Sequence, residues 1–458
     1  LSEVVVSQLW FQQALLPQGW AESVRVEIRD GRIAAVEPGT PPQPGDARHA
    51  IGLAGLPNLH SHAFQRAMAG RAERRADRDD DFWLWRERMY QLAQAVRPED
   101  LRAIAALAYA EMLQAGFVRV GEFHYLHNAP DGRPYADPGE MAAALAAAAA
   151  ESGVSLTLLP VFYAHSGFGA AAPNAGQARF VTGLDGYGRL LEASGRAIAG
   201  LEDAVLGVAP HSLRAVTPKE LAEVAALLPA APVHIHIAEQ LKEVEDCIAW
   251  SGRRPVDWLL TEAQVDQRWC LVHATHVDEA ETLGLAASGA VAGLCPITEA
   301  NLGDGVFPAD GFLAAGGAIG VGSDSNVLIE AAEELRLLEY GQRLTQRRRN
   351  VLAQTAEEPT ADRIYRAALA GGGRALGVEP PALRPGAPAS FVSLDATHPA
   401  FAQATPDEYL SRWIFAAGRA AVDCVWVAGR QVVAQGRHLR WEAIVQNYRA
   451  ALGRLQSS

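Results

Sequence analysis

Between residue 51 and about residue 322 the chain alternates short apolar runs with longer stretches rich in Ala, Leu and Glu. Eight of the apolar runs read as strands: 53–59, 118–125, 154–162, 204–210, 233–238, 270–275, 290–294 and 318–322. The stretches between them, such as 98–114, 137–150 and 218–228, read as helices. Strands buried on both faces appear as near-continuous apolar runs, and βα alternation implies a parallel sheet. Eight such units predict an α/β protein with a closed (β/α)8 barrel of the TIM type. A doubly wound parallel sheet is the alternative arrangement of the same units.

Both ends of the chain read differently. Residues 23–28 alternate polar and apolar, Asp30-Gly31 supplies a hairpin turn, and 33–36 continues as a second strand before a Pro-rich stretch at 38–44. After about residue 380 strand character returns at 391–394, following Pro385-Gly386, and at 422–427 and 431–433 around Ala428-Gly429-Arg430. The expectation is a small composite β domain of sandwich type built from 1–50 and 381–458, with 51–380 as the barrel.

Composition narrows the class of partner. The chain has 458 residues, 49% of them hydrophobic, which suffices for a large core and excludes disordered and fibrous classes. A net charge of −13 argues against nucleic acid or an anionic membrane as partner and leaves a small molecule. Cys247, Cys270, Cys295 and Cys424 form no C-x-x-C pair, so a reduced cytoplasmic protein without a disulfide frame is expected. Leu1–Val6 lacks the basic and apolar parts of a signal peptide. The most apolar run, 141–150, is about half a membrane span.

The histidines cluster at the C-terminal ends of the predicted strands, where a parallel barrel builds its active site. In Asn58-Leu59-His60-Ser61-His62 the two histidines at i and i+2 share one strand face and can reach one metal ion. His234 and His236 share a face in the same way, followed by Glu239, a carboxylate placed to carry protons for an activated water. His234, deeper in the strand, is expected to be a hydrogen-bonded core residue. His273 ends the sixth strand, and Asp324 follows the eighth in Gly322-Ser323-Asp324-Ser325. A lone Asp in such a loop is ordinarily a helix cap. The conjunction of four such items in different βα units points to a mononuclear metal hydrolase.

This conjunction resembles the amidohydrolase superfamily, over nearly the whole chain. The resemblance implies a metal held by His60, His62, His236 and Asp324, with Glu239, His273 and Asp324 catalytic. Three nitrogen donors and one carboxylate suit zinc. Pro385-Gly386-Ala387-Pro388-Ala389 and Val425-Trp426-Val427-Ala428-Gly429-Arg430 resemble segments of that superfamily's small domain, with Ser390 where an acidic residue is common. The only lysines, Lys219 and Lys242, lie on predicted helices, so a binuclear site bridged by a carboxylated lysine is not expected.

Within the deaminase branch, Asn58-Leu59-His60-Ser61-His62-Ala63-Phe64-Gln65-Arg66, Phe82-Trp83-Leu84-Trp85-Arg86, Gly121-Glu122-Phe123-His124-Tyr125-Leu126-His127 and Ala209-Pro210-His211-Ser212-Leu213-Arg214 are similar to the formimidoylglutamate deiminase family. That similarity implies substrate contacts from Gln65, Arg86, Tyr125, His211 and Arg214, hydrolysis of a formimino dicarboxylate with release of ammonia, and a homodimer. Two arginine forks suit two carboxylates. The rival within the branch is a purine or triazine deaminase, for which Phe64, Trp83 and Trp85 could supply an aromatic pocket. A non-catalytic scaffold would be expected to lose ligand residues, and all are present. Gly371-Gly372-Gly373 lacks the preceding strand that a dinucleotide-binding loop needs.

Overall fold

The computed structural model describes residues 8–73 and 82–457, so the Leu1–Val6 stretch lies outside the described residues. Strands β1 (Gln8–Leu16), β2 (Gly19–Arg29), β3 (Arg32–Glu37) and β4 (Ala47–Ala54) open the chain. Asp30 and Gly31 both have positive φ, 51° and 73°, as the tight β2–β3 hairpin predicted from Asp-Gly requires. The predicted strand 53–59 is in fact two. Leu53 and Ala54 end β4, and β5 (Leu56–Ser61) belongs to a different sheet. The chain crosses between sheets at Gly55, where a Cβ would stand 2.1 Å from Val118, so no side chain fits there.

The middle of the chain supplies β5, β6 (Phe117–His124), β7 (Ser155–Phe162), β8 (Val205–Leu206), β9 (Ala209–Pro210), β10 (Val233–Ile237), β11 (Trp269–His273), β12 (Val291–Leu294) and β13 (Ala318–Val321). They pair in parallel as β5-β6-β7-β8, with β9 also on β7, and as β10-β11-β12-β13. Isolated parallel bridges link the two ladders: Val208 to Val233 and Ser212 to His236 on one side, Ser61 to Asp324 on the other. Nearly every residue of these strands is buried, which explains their largely apolar character. The fourth predicted strand is split by Gly207, where a Cβ would meet Leu159 at 2.5 Å and the Pro232 carbonyl at 2.8 Å.

Helices cover the outside. The glycine cluster lies inside the Thr360–Ala375 helix, which packs on β5 and β13. A Cβ at Gly371 would stand 1.9 Å from the Ile319 carbonyl oxygen, so the cluster serves close helix–strand approach.

Strands β14 (Phe391–Leu394), β15 (Val422–Val427), β16 (Arg430–Ala434) and β17 (Arg437–His438) join the opening strands in one eight-stranded ladder, β17-β16-β15-β14-β4-β1-β2-β3. The ladder is rolled. Gly31 of the β2–β3 turn abuts Ala428 of the β15–β16 turn, and Leu9, Phe11, Val26, Phe391 and Trp426 share one core within it. Beyond β17 the Trp441–Ser457 helix, which the strand pattern did not anticipate, packs on the Pro98–Gln114 helix. There Arg454 pairs with the buried Asp100 at 2.6 Å. Among the described residues no helix is long and apolar enough to cross a membrane, and all four cysteines are free and buried.

Candidate active site

Three of the four strand ends singled out above finish in left-handed backbone that non-glycine residues rarely adopt. Ala238 follows β10 with φ 51°, His273 ends β11 with φ 69°, and Asp324 follows β13 with φ 44°. Each turns the chain sharply where the sheet ends, aiming the adjacent polar side chains across the strand ends. The Asp324 turn is fixed from beneath. Asn58 Nδ2 donates to Ser323 Oγ (2.7 Å), Ser323 Oγ donates to Asn326 Oδ1 (2.6 Å), and Asn326 Nδ2 donates to Ser61 Oγ (3.1 Å). The His60-Ser61-His62 strand end and the Asp324 loop are thereby locked to one another.

His60, His62, His236 and Asp324 converge, all buried, with one ligand-type atom from each within 4.8 Å of all the others. His62 Nδ1 lies 2.9 Å from the Phe123 carbonyl and His236 Nδ1 lies 3.1 Å from the His211 carbonyl. Only an N–H can face a carbonyl, so each ring turns its Nε2 lone pair inward. His60 Nε2 stands 3.2 Å from His62 Nε2 and 3.0 Å from His236 Nε2. Asp324 Oδ1 lies 3.4 and 3.3 Å from His60 and His62 Nε2. The inward lone pairs of His62 and His236 and the Asp324 carboxylate meet at His60 Nε2, and this donor set fits a divalent cation. Burial pushes His60 down to about 3 and lowers His62 and His236 too, so the rings are neutral, as ligands must be. Burial alone would raise Asp324, but His60, His62 and His273 hold it well below the usual carboxylate range. His234 is elsewhere, its Nε2 donating to the Ala375 carbonyl at 2.7 Å, in the core position expected for it.

Beside this nest, Glu239 Oε1 lies 3.8 Å from His273 Nε2, and His273 Nε2 lies 3.9 Å from Asp324 Oδ2. Burial pushes the Glu239 carboxyl up to about 7, against the pull of His273 and Arg214. His273 is pushed up to about 10: burial opposes the shift, but Glu239, the hydrogen bond to Glu299 and Asp324 outweigh it. A buried carboxyl that titrates near neutrality and an imidazole held by acids suit proton traffic.

The cavity above is lined by all five residues expected to contact substrate: Gln65, Arg86, Tyr125, His211 and Arg214. Gln65 Nε2 donates to the Tyr125 hydroxyl at 2.8 Å. Arg86 rises from the Phe82–Ala95 helix and stacks on Trp83 with its guanidinium 4.3 Å from the ring centre. Among the described residues no carboxylate pairs with Arg86. Arg214 approaches Glu243 at 3.8 Å, and its buried Nε has no partner. Of the aromatics considered for a base pocket, Trp85 lines the cavity, Trp83 stacks under Arg86, and Phe64 packs edge-on to Tyr125.

Several contributing residues were not singled out from sequence. Glu299 accepts from His273 Nδ1 at 3.2 Å and from the Cys295 amide at 2.8 Å. Glu243 accepts from the amides of Ala238 (3.2 Å) and Glu239 (3.4 Å), fixing the turn that carries Glu239. Tyr90, Tyr163 and Phe180 also line the cavity. The available signal was an acid in the first turn of the helix after a barrel strand, which reads equally well as a cap.

Residues 51–432 match the model of the amidohydrolase family, and residues 8–50 match that of the N-terminal domain of formimidoylglutamate deiminase HutF. The chain is 51% identical over 454 residues to a formimidoylglutamate deiminase of Pseudomonas aeruginosa, covering 98% of this chain and all of that one. It is 28% identical over 406 residues to a 5-methylthioadenosine/S-adenosylhomocysteine deaminase of Natronomonas pharaonis, covering 86% and 84% of the two chains. Among solved structures, an amidohydrolase from Brucella melitensis superposes with a TM-score of 0.95 at 55% identity, over 98% of this chain and 99% of that one. The fold is shared also with an adenosine deaminase from Xanthomonas campestris with bound zinc, with a TM-score of 0.81 at 24% identity and 98% of both chains covered.

Proposed function

The chain belongs to the amidohydrolase family and, within it, to the formimidoylglutamate deiminases, and from that premise we propose the reaction it carries out: hydrolysis of N-formimino-L-glutamate to N-formyl-L-glutamate and ammonia, a step of histidine degradation. The observation that carries this reading is one cavity that combines the His/Asp nest with Glu239 and, on its wall, the guanidinium groups of Arg86 and Arg214. Two cations in a chain of net charge −13 suit a substrate with two carboxylates. In the same reading the two bridged parallel ladders form one closed (β/α)8 barrel, and 1–50 with 381–458 form the small domain.

His60, His62, His236 and Asp324 hold the divalent ion, zinc in this reading. When bound, such an ion supplies Lewis acidity, which brings the pKa of water down towards ~7. Arg86 and Arg214 grip the carboxylates and present the formimino carbon to the nest, while Gln65, Tyr125 and His211 shape the wall beside it. His273, held protonated among Glu239, Glu299 and Asp324, orients the attacking water, and the ionised Asp324 accepts its proton. Addition of its oxygen to the formimino carbon makes that carbon tetrahedral. Glu239, titrating near 7, delivers a proton to the terminal nitrogen. A second proton, the one Asp324 took from water, reaches the same nitrogen while the hydroxyl proton passes to Glu239; as the oxygen forms the formyl C=O, the C–N bond breaks with its electron pair on nitrogen and ammonia departs.

The test is ammonia release by metal-replete enzyme from N-formimino-L-glutamate, guanine, adenosine and N-formiminoglycine, which has one carboxylate. Selective turnover of the dicarboxylate is expected. Turnover of a purine in its place would discard the two-arginine pocket.

A further inference from the structure

Arg179 is fully buried, and among the described residues no carboxylate reaches it. Its charge is met by main-chain carbonyls from two separate segments. Nη1 donates to the carbonyls of Ala93 and Val96 (2.6 Å to Val96), at the C-terminal end of the Phe82–Ala95 helix. Nε donates to the carbonyl of Asn128 at 2.9 Å. In return the Arg179 carbonyl accepts from the amides of His127 and Asn128, both at 3.0 Å. The C-terminal end of a helix presents unpaired carbonyls and the negative end of its dipole, so a guanidinium there is held firmly.

Both segments tied by Arg179 lead into the cavity. The helix carries Phe82, Trp85, Arg86, Met89 and Tyr90, and the loop after β6 begins with Tyr125. The strap around Arg179 adds further links to the same helix. Gln94 Nε2 donates to the Gly176 carbonyl at 3.0 Å, and Phe180 packs against Tyr90 with ring centres 5.5 Å apart. Elsewhere the helix meets the 3-10 turn at Ala63–Met68. The buried cation is one of several ties on the helix, and it joins the helix's far end to the loop after β6.

We propose that Arg179 is a positioning residue for substrate selectivity: by clamping the end of the Phe82–Ala95 helix to the loop after β6, it sets the distance from Arg86 to the Glu239 side of the cavity. The inference rests on the reading of Arg86 as a carboxylate grip. It predicts that losing Arg179 mimics losing Arg86, although Arg179 itself does not line the cavity.

The experiment is a double-mutant cycle on metal-loaded enzyme, with KM and kcat measured for N-formimino-L-glutamate and N-formiminoglycine. Arg86→Met is expected to raise KM for the dicarboxylate by about tenfold or more. Arg179→Met should raise it by a similar factor, with kcat changed less than about threefold and the monocarboxylate little affected. The double variant should be no worse than the poorer single variant. If Arg179→Met does not yield folded protein, Arg179→Lys and Gln94→Leu enter the same cycle, with the same sub-multiplicative result expected. A normal KM in Arg86→Met would end the carboxylate reading, and the inference with it. An elevated KM in Arg86→Met alone, multiplicative effects, or equal losses on both substrates would overturn the positioning role and leave the carboxylate reading standing.

Discussion

In the proposed reaction Arg214 does two jobs that can be separated. Its Nη2 is 3.8 Å from Glu243 Oε2, and the Glu243 side chain is 0% exposed. Glu243 in turn holds the amides of Ala238 and Glu239. Replacing Arg214 by Met therefore removes a substrate cation and also strands a buried carboxylate. At this distance and an effective dielectric of about 20, the gross attraction is about 4 kcal/mol. Breaking one partner of a buried pair costs ~3–5 kcal/mol, and the long separation places this one near ~3 kcal/mol. Losing a charge-assisted hydrogen bond to the substrate removes a further ~1.5–3 kcal/mol of binding, or ~10–150-fold in KM. Arg214→Met should thus lower the urea midpoint and raise KM. Adding Glu243→Gln, which removes the stranded charge while an amide oxygen can still accept from Ala238, should restore most of the midpoint and none of the KM. Urea unfolding and steady-state ammonia release on the two single variants and the double variant read both quantities. Recovery of KM in the double variant would refute the reasoning: Arg214 would then act by steadying the Glu239 turn, not by gripping substrate.

Glu239→Gln is expected to keep full metal content, since Glu239 stands outside the nest, while kcat falls by ~10²–10⁴; metal analysis beside turnover checks both. His236→Ala, or chelation of the wild type, should lower metal stoichiometry and the thermal midpoint together, and added zinc should restore the chelated wild type only; an unchanged midpoint on chelation would sever metal binding from the fold. Burial pushes Glu122 up to about 8, so the folded protein retains a proton that the unfolded chain sheds above about pH 4.5. Its contribution is therefore most favourable below that pH and is lost as pH rises towards 8. Glu122→Gln should match wild type near pH 4.5 and exceed it by about 2–4 kcal/mol above pH 8 in urea unfolding, and equal differences at both pH values would count against the shift.

What the sequence revealed and what it concealed divide along one physical line. His60, His62 and His236 were legible because a strand places i and i+2 on one face, and because the strands of a parallel barrel end at one rim. Strand position alone was enough to separate His236 from His234, one at the rim and one bonded to Ala375 below it. The Asp30-Gly31 turn was legible for the same kind of reason, since few dipeptides adopt two positive φ values. The break at Gly55 was hidden because Leu53–Leu59 is apolar throughout, and an apolar run does not say which of two sheets each half joins.

The hidden members of the site share a different character. Glu243, Glu299 and Arg179 act on the rim residues through the backbone or a ring nitrogen, from helices and loops whose place depends on the whole fold. Locally each has an ordinary explanation: Glu243 and Glu299 as acids in the first turn of a helix, Arg179 as one arginine among 38 in a chain with two lysines. What distinguishes them is burial without exposure to solvent and a partner set that closes only in three dimensions. A barrel rim accepts new chemistry by exchanging the residues that touch the substrate. Those residues hold their positions only while the buried charges behind them do. The Phe82–Ala95 helix is the sharpest instance, because Arg86 lines the cavity from an element outside the strands. In the proposed reading, specificity for a second carboxylate therefore depends on Arg179 as much as on Arg86.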